Sequence, residues 1–136
     1  MMIEFEGFPV ADNQLTVKEG QLYLKGYRCR DCGHVMFPAA ELCLNCSGEQ
    51  IEEGPIGRDG ELVEYTISYT APEGYEAPLV QALVRLKEGP EVFALLDTTE
   101  QEMKTTEAGA PLRLIPVVDD GRIVGWRFGR KKGMGL

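Results

Sequence analysis

From Gly60 onward the chain alternates apolar and polar positions with the period of a half-buried strand. Val63, Tyr65, Ile67 and Tyr69 share one face of the stretch Glu61 to Tyr69, and Glu64, Thr66 and Ser68 share the other. Leu79 to Leu86 repeats the pattern, with Val80, Ala82, Val84 and Leu86 set against Gln81 and Arg85. Two short apolar runs follow, Val92 to Leu96 and Leu112 to Val118. The second contains Pro116, which has no N–H to give a ladder and so suits an edge or a bulge. Asp119-Asp120-Gly121 reads as a hairpin turn, and Ile123 to Phe128 as a last strand. Between the third and fourth strands, Thr98 to Ala110, Glu100 to Glu107 suits a short helix or an irregular loop.

Five antiparallel strands with that break fit a five-stranded OB-fold, a small partly open Greek-key barrel. An SH3-like barrel or a split sandwich would give a similar pattern. The N-terminal half differs. Residues 1–13 have little periodicity and read as an extended, loosely docked arm. Leu15-Thr16-Val17 and Gln21-Leu22-Tyr23-Leu24, joined through Lys18-Glu19-Gly20, read as a hairpin. The turn formers of Gly54-Pro55-Ile56-Gly57-Arg58-Asp59-Gly60 mark a joint. The expected division is residues 1–56, a hairpin with a cysteine-bearing segment, and residues 57–136, the barrel with a basic tail.

That segment holds every cysteine in the chain: Cys29-Arg-Asp-Cys32, ten residues, then Cys43-Leu-Asn-Cys46. Each C-x-x-C folds into a tight turn that aims two sulfurs at one point, so two such turns facing each other build a tetrahedral Cys₄ site. Gly33 and Gly48, just past the two pairs, let backbone N–H groups turn toward the sulfurs. Three readings compete: a closed structural zinc ribbon, a rubredoxin-type iron centre and a dithiol redox pair. A redox pair needs one C-x-x-C, usually at a helix start, and nothing after Cys32 or Cys46 reads as a helix. Iron also accepts four thiolates. Structural zinc is the favoured reading, with all four positions filled by protein and none open for catalysis.

Composition narrows the classes further. The chain has 136 residues, 43% hydrophobic and 26% charged, which suits one modest domain or two small ones. The formal net charge is −8, yet residues 121–136 carry five basic and no acidic groups: Arg122, Arg127, Arg130, Lys131 and Lys132. An acidic body repels nucleic-acid backbone. No apolar run approaches the ~20 residues that span a bilayer. The start, Met1-Met2-Ile3-Glu4-Phe5-Glu6, lacks a basic n-region and an apolar h-region. Paired thiols with no export signal point to the reducing cytoplasm.

The residues also argue against autonomous catalysis. His34 is the single histidine and sits in the cysteine-rich loop. Covalent catalysis through a thiol needs an activated cysteine and a base, and no cysteine lies outside the metal pairs. No phosphate-cradling G-x-x-x-x-G-K-[ST] loop is present.

The knuckle Cys29-Arg-Asp-Cys32-Gly33, then Phe37-Pro38, then Cys43-Leu-Asn-Cys46, a Gly-rich joint and an all-β half together resemble the DUF35 family. Glu19-Gly20-Gln21-Leu22, Gly60-Glu61-Leu62, Ala77-Pro78-Leu79-Val80, Val84-Arg85-Leu86-Lys87-Glu88-Gly89 and Asp120-Gly121 extend the likeness over roughly residues 19–128. The resemblance implies a mainly β chain, with a rubredoxin-like zinc ribbon followed by an OB-fold. It implies zinc on Cys29, Cys32, Cys43 and Cys46. It further implies a non-catalytic subunit of a hetero-oligomer, bound to a thiolase-fold enzyme that makes or breaks carbon–carbon bonds on acyl-CoA, and shaping the coenzyme A channel. Leu44 stands where many members have Pro, and Pro38-Ala39-Ala40 where many have Pro-Pro-Arg.

Within that frame Arg127, Arg130, Lys131 and Lys132 are candidates for the coenzyme A phosphates, which arginine meets through bidentate hydrogen bonds. The plainer reading is a solvated chain end. Tyr75, in the long loop from Tyr69 to Pro78, is a candidate partner or channel contact, or part of a stiff connector. Two rival functions remain. A single-stranded nucleic-acid module would need a basic groove with interleaved aromatics, whereas the second and third barrel strands offer only Phe93, beside Glu88 and Glu91. A rubredoxin-like electron carrier would hold iron.

Overall fold

The structure is a computed structural model and describes residues 3–130. Eleven strands and one short helix occur along it. The first four strands are β1 (Glu4–Phe5), β2 (Phe8–Pro9), β3 (Leu15–Lys18) and β4 (Gln21–Cys29). Then come β5 (Val35–Met36), β6 (Ile51–Ile56), β7 (Asp59–Ser68) and β8 (Leu79–Leu86). The chain ends with β9 (Glu91–Leu95), α1 (Glu100–Met103), β10 (Pro111–Asp119) and β11 (Arg122–Arg130). The fold class is mainly β: an N-terminal zinc-ribbon sheet and a five-stranded OB-type barrel.

The ribbon sheet is organised on β4. One edge of β4 pairs with β6, from Leu24 opposite Ile56 to Cys29 opposite Ile51. The other edge pairs first with β3 and then, at Tyr27 and Arg28, with β5. Gly54 and Pro55, expected in the joint, lie inside β6; the connection narrows to Gly57 and Arg58. The Gly57 N–H donates to the Glu88 carboxylate at 3.0 Å, which ties the joint to the β8–β9 turn.

The barrel has strand order β11-β10-β7-β8-β9. It closes where Leu96 bridges Phe128 in parallel and the Asp97 N–H donates to the Phe128 carbonyl at 2.8 Å. The last hairpin turns as expected, because Asp120 (φ 52°) and Gly121 (φ 71°) both take left-handed backbone, the pair that matches the twist of its strands. Pro116 faces no ladder on the β7 side, since β10 pairs with β7 only from Pro111 to Arg113. Two sequence expectations shift. In β7 the pairing slips between Leu62 and Glu64, so Leu62 (2% exposed), not Val63, joins Ile67 toward the core. A bulge inserts one residue and reverses the parity on one side of it, which strict alternation cannot reveal. The segment 3–13 is also less loose than expected. It forms the β1–β2 hairpin, Val10 bridges Ile123, and the Ala11 N–H donates to the Ile123 carbonyl.

One apolar core serves both halves. Leu15, Leu22, Leu24 and Ile56 of the ribbon sheet cluster with Leu62, Val84, Leu86, Leu112, Ile123 and Phe128 of the barrel. Met103 on α1 is buried in the same cluster. Thr99 caps α1 by accepting from the Glu102 N–H at 3.1 Å, and the Tyr65 hydroxyl donates to the Met103 carbonyl at 3.3 Å.

Candidate metal centre

The four cysteine sulfurs converge, all within 4.8 Å of one another. Cys29 and Cys46 stand 3.6 Å apart and Cys32 and Cys43 3.5 Å. A tetrahedron with metal–sulfur bonds of 2.3 Å has edges of about 3.8 Å, so the set fits a four-coordinate metal with little adjustment. The knuckles repeat one backbone pattern. The Cys29 N–H donates to the His34 carbonyl and the Cys43 N–H to the Gly48 carbonyl. The Gly33 and Ser47 N–H groups return to the Cys29 and Cys43 carbonyls. This repetition places two sulfur pairs face to face. Cys29 and Cys43 are buried, whereas Cys32 and Cys46 are exposed.

Further donors are aimed at the sulfurs. The Asn45 and Cys46 N–H groups reach Cys43 Sγ at 3.3 and 3.4 Å, and Asn45 Nδ2 reaches Cys32 Sγ at 3.6 Å. Donors of this kind favour thiolate over thiol. Asn45 and the His34 backbone accordingly lower the Cys32 thiol to about 6. At Cys46 the Gly48 N–H also favours the thiolate, but the neighbouring sulfurs of Cys29 and Cys32 prevail and push it up to about 12. Four thiolates cannot crowd together without a cation, so this donor set calls for one.

Gly48 is needed for space rather than for a left-handed turn. A Cβ there would lie 2.6 Å from Asp31 Oδ2 and 3.2 Å from both Cys29 and Cys46 sulfurs. Gly33 takes left-handed backbone at φ 79°, and its own N–H goes to the Cys29 carbonyl rather than to a sulfur. Asn45 escaped the sequence reading, although its place between Cys43 and Cys46 is where such a donor must sit. His34 is an exposed loop residue and meets no sulfur with its ring among the described contacts.

The other candidates scatter. Tyr75 and Arg127 share a cleft of about 880 Å³ bounded by the β7–β8 loop, the segment after β9 and the β10–β11 hairpin. Glu76, Asp97, Glu100 and Asp119 line the same cleft, so the surroundings of Arg127 repel phosphate. Arg130 lies in a separate groove with Thr105 to Ala110, and Lys131 and Lys132 fall outside the described residues. Arg127 and Arg130 thus line two different grooves. The acidic lining joins residues far apart in sequence and had no local signal. Phe93 stands on the outer face, 75% exposed, opposite Leu83. Among the described residues no helix is long and apolar enough to cross a membrane.

Trp126 joins the two halves. Its ring meets Phe37, in the loop between the knuckles, edge-on at 6.0 Å. It meets Phe128 of the barrel core in the same manner at 6.0 Å, and its Nε1–H donates to Gln14 Oε1 at 3.2 Å.

Comparison with known proteins matches two family models in succession. Residues 19–52 match the family model described as ChsH2, rubredoxin-like zinc ribbon domain, and residues 53–115 the model described as ChsH2, C-terminal OB-fold domain. The chain is 41% identical over 81 residues to the benzoylsuccinyl-CoA thiolase subunit BbsA of Geobacter metallireducens, covering 59% of this chain and 55% of that one. It is 38% identical over 81 residues to a DUF35 domain-containing scaffold protein of Pyrococcus furiosus, covering 58% and 59%. The match thus spans little more than half the length of these relatives. Among solved structures, the Ltp2-ChsH2(DUF35) aldolase shares the fold with a TM-score of 0.67 at 24% identity, covering 79% of this chain and 84% of that one. With both of its halves matched in order, the chain belongs to the DUF35 family.

Proposed function

We propose that this chain is a non-catalytic accessory subunit of a thiolase-fold enzyme acting on acyl-CoA thioesters. One observation carries the reading: every cysteine of the chain is drawn into a closed four-sulfur centre, in a chain similar to a protein named as a thiolase subunit. A closed centre leaves no coordination position for substrate and no thiol for acyl transfer. Zinc on Cys29, Cys32, Cys43 and Cys46 would hold the ribbon rigid as a docking element. Catalysis and the choice of acyl group would reside in the partner, and this chain would help to shape the approach to its coenzyme A channel. The acidic cleft at the barrel's loop end disfavours the nucleic-acid alternative.

The experiment is affinity purification of the tagged chain from its native lysate, with mass spectrometry and metal analysis of the complex. The expected result is a thiolase-fold partner at fixed stoichiometry, one zinc per chain, and loss of the partner in Cys43→Ser. Recovery of nucleic acid released by salt, with no enzyme, would overturn the reading. Iron in place of zinc, with a red colour, would instead support an electron carrier.

A further inference from the structure

In an OB barrel the loops after the first and fourth strands border the surface that holds ligands. Here those loops are the β7–β8 connection and the β10–β11 turn, and the cleft between them holds about 880 Å³. That volume falls in the upper part of the roughly 300–1,000 Å³ range of ligand clefts. Four carboxylates line it against one guanidinium, Arg127. Glu100 accepts a hydrogen bond from the Tyr69 hydroxyl, and this contact raises the phenol above its usual range. The carboxylates of Glu76, Asp97 and Asp119 make no ion pair or hydrogen bond among the described residues. In the same wall Thr98 Oγ1 is buried without a hydrogen-bond partner. Elsewhere on the barrel some charges are paired: Arg85 joins Glu61 and Glu91, and Arg113 joins Asp59.

The chemistry of the occupant follows from this imbalance. Phosphate is repelled, which excludes nucleic acid and the coenzyme A diphosphate from this cleft. A single divalent ion is excluded as well, because among the described residues only the four cysteines converge closely enough to hold one. The complement is an extended chain bearing several cations and N–H donors. Tyr75, 49% exposed at the rim, adds an aromatic face for a guanidinium or ammonium group. We infer that this cleft seats an arginine- or lysine-bearing segment of the enzyme partner. The inference rests on the subunit reading above and assigns its docking contact to the barrel loops.

The test uses the full zinc-loaded chain, labelled with nitrogen-15. The probes are an acetylated, amidated peptide of alternating arginine and alanine and, separately, coenzyme A. The peptide is expected to shift amides of residues 74–79, 95–100 and 117–127, with affinity falling about tenfold from low to high salt. The triple variant Glu76→Gln, Asp97→Asn, Asp119→Asn should weaken it by about tenfold or more, while the amide spectrum remains that of the folded chain. Shifts spread over other acidic faces, undiminished binding by the triple variant, or coenzyme A moving the same amides would each overturn the inference. Partner recovery separates the two claims. If the wild type recovers the enzyme and the triple variant recovers it equally well, the cleft is not the seat, although the subunit reading stands. If the wild type recovers no enzyme, both fall.

Discussion

The ribbon and the barrel are stabilised by different physics within one chain. Between Cys29 and Gln50 the buried apolar side chains are Met36 and the two cysteines Cys29 and Cys43, and most of the other residues are exposed. So little apolar surface cannot offset the conformational entropy of ordering such a segment. The barrel places Val84, Leu86, Leu112, Ile123 and Phe128 at 1% exposure or less around a common centre. The knuckles are therefore expected to depend on a metal, and the barrel to fold on its core. The hairpin β3–β4 belongs with the ribbon by pairing and with the barrel by packing.

The largest expected effect is removal of the metal. Structural zinc in such sites contributes about 10–16 kcal/mol of apparent binding free energy. A strong chelator should collapse the amide dispersion of residues 29–50 while the barrel amides persist, read by heteronuclear NMR. Collapse of the whole spectrum would erase the distinction between the halves. Next is Phe128→Ala, which empties a fully buried site. It should cost about 3–5 kcal/mol in denaturant unfolding and leave one bound zinc in whatever fraction remains folded.

Gly48→Ala tests the ribbon alone. Its Cβ would press on Asp31 and two ligand sulfurs, so zinc affinity measured by chelator competition should fall about tenfold, worth about 1.4 kcal/mol. Gly54→Ala is its control, since nothing lies within 4 Å of the added Cβ. The smallest effect is expected at the seam. Gln14→Ala removes the acceptor of the Trp126 indole N–H, at a cost of about 0.5–1.5 kcal/mol. Trp126 is the single tryptophan of the chain, so a shift in its emission on metal removal would report the Phe37 contact opening. An unchanged emission would show that the ribbon can loosen without disturbing the barrel.

Much of this architecture is legible in the residues, because its signals are local. Two C-x-x-C pairs specify a four-sulfur centre by spacing alone, and period-two alternation marks β8 with its inward Val80, Ala82, Val84 and Leu86. Asp120-Gly121 announces its turn through the left-handed backbone those residues tolerate. The misreadings are where distant contacts decide. The bulge at Val63 depends on how β7 meets β8. The docking of segment 3–13 depends on Ile123, more than a hundred residues away.

Local pattern alone set the clustered cysteine pairs, the five barrel strands and the last hairpin turn, since each depends on residues within a few positions of one another. Tertiary contacts set Arg127 in a cleft that four carboxylates also line, and Arg130 in another groove. They also decided that Phe37 and Gln14 meet at Trp126. Charge sums along a chain carry no direction. Which charges share a cleft is set by barrel closure, and that closure rests on pairings between residues far apart in sequence.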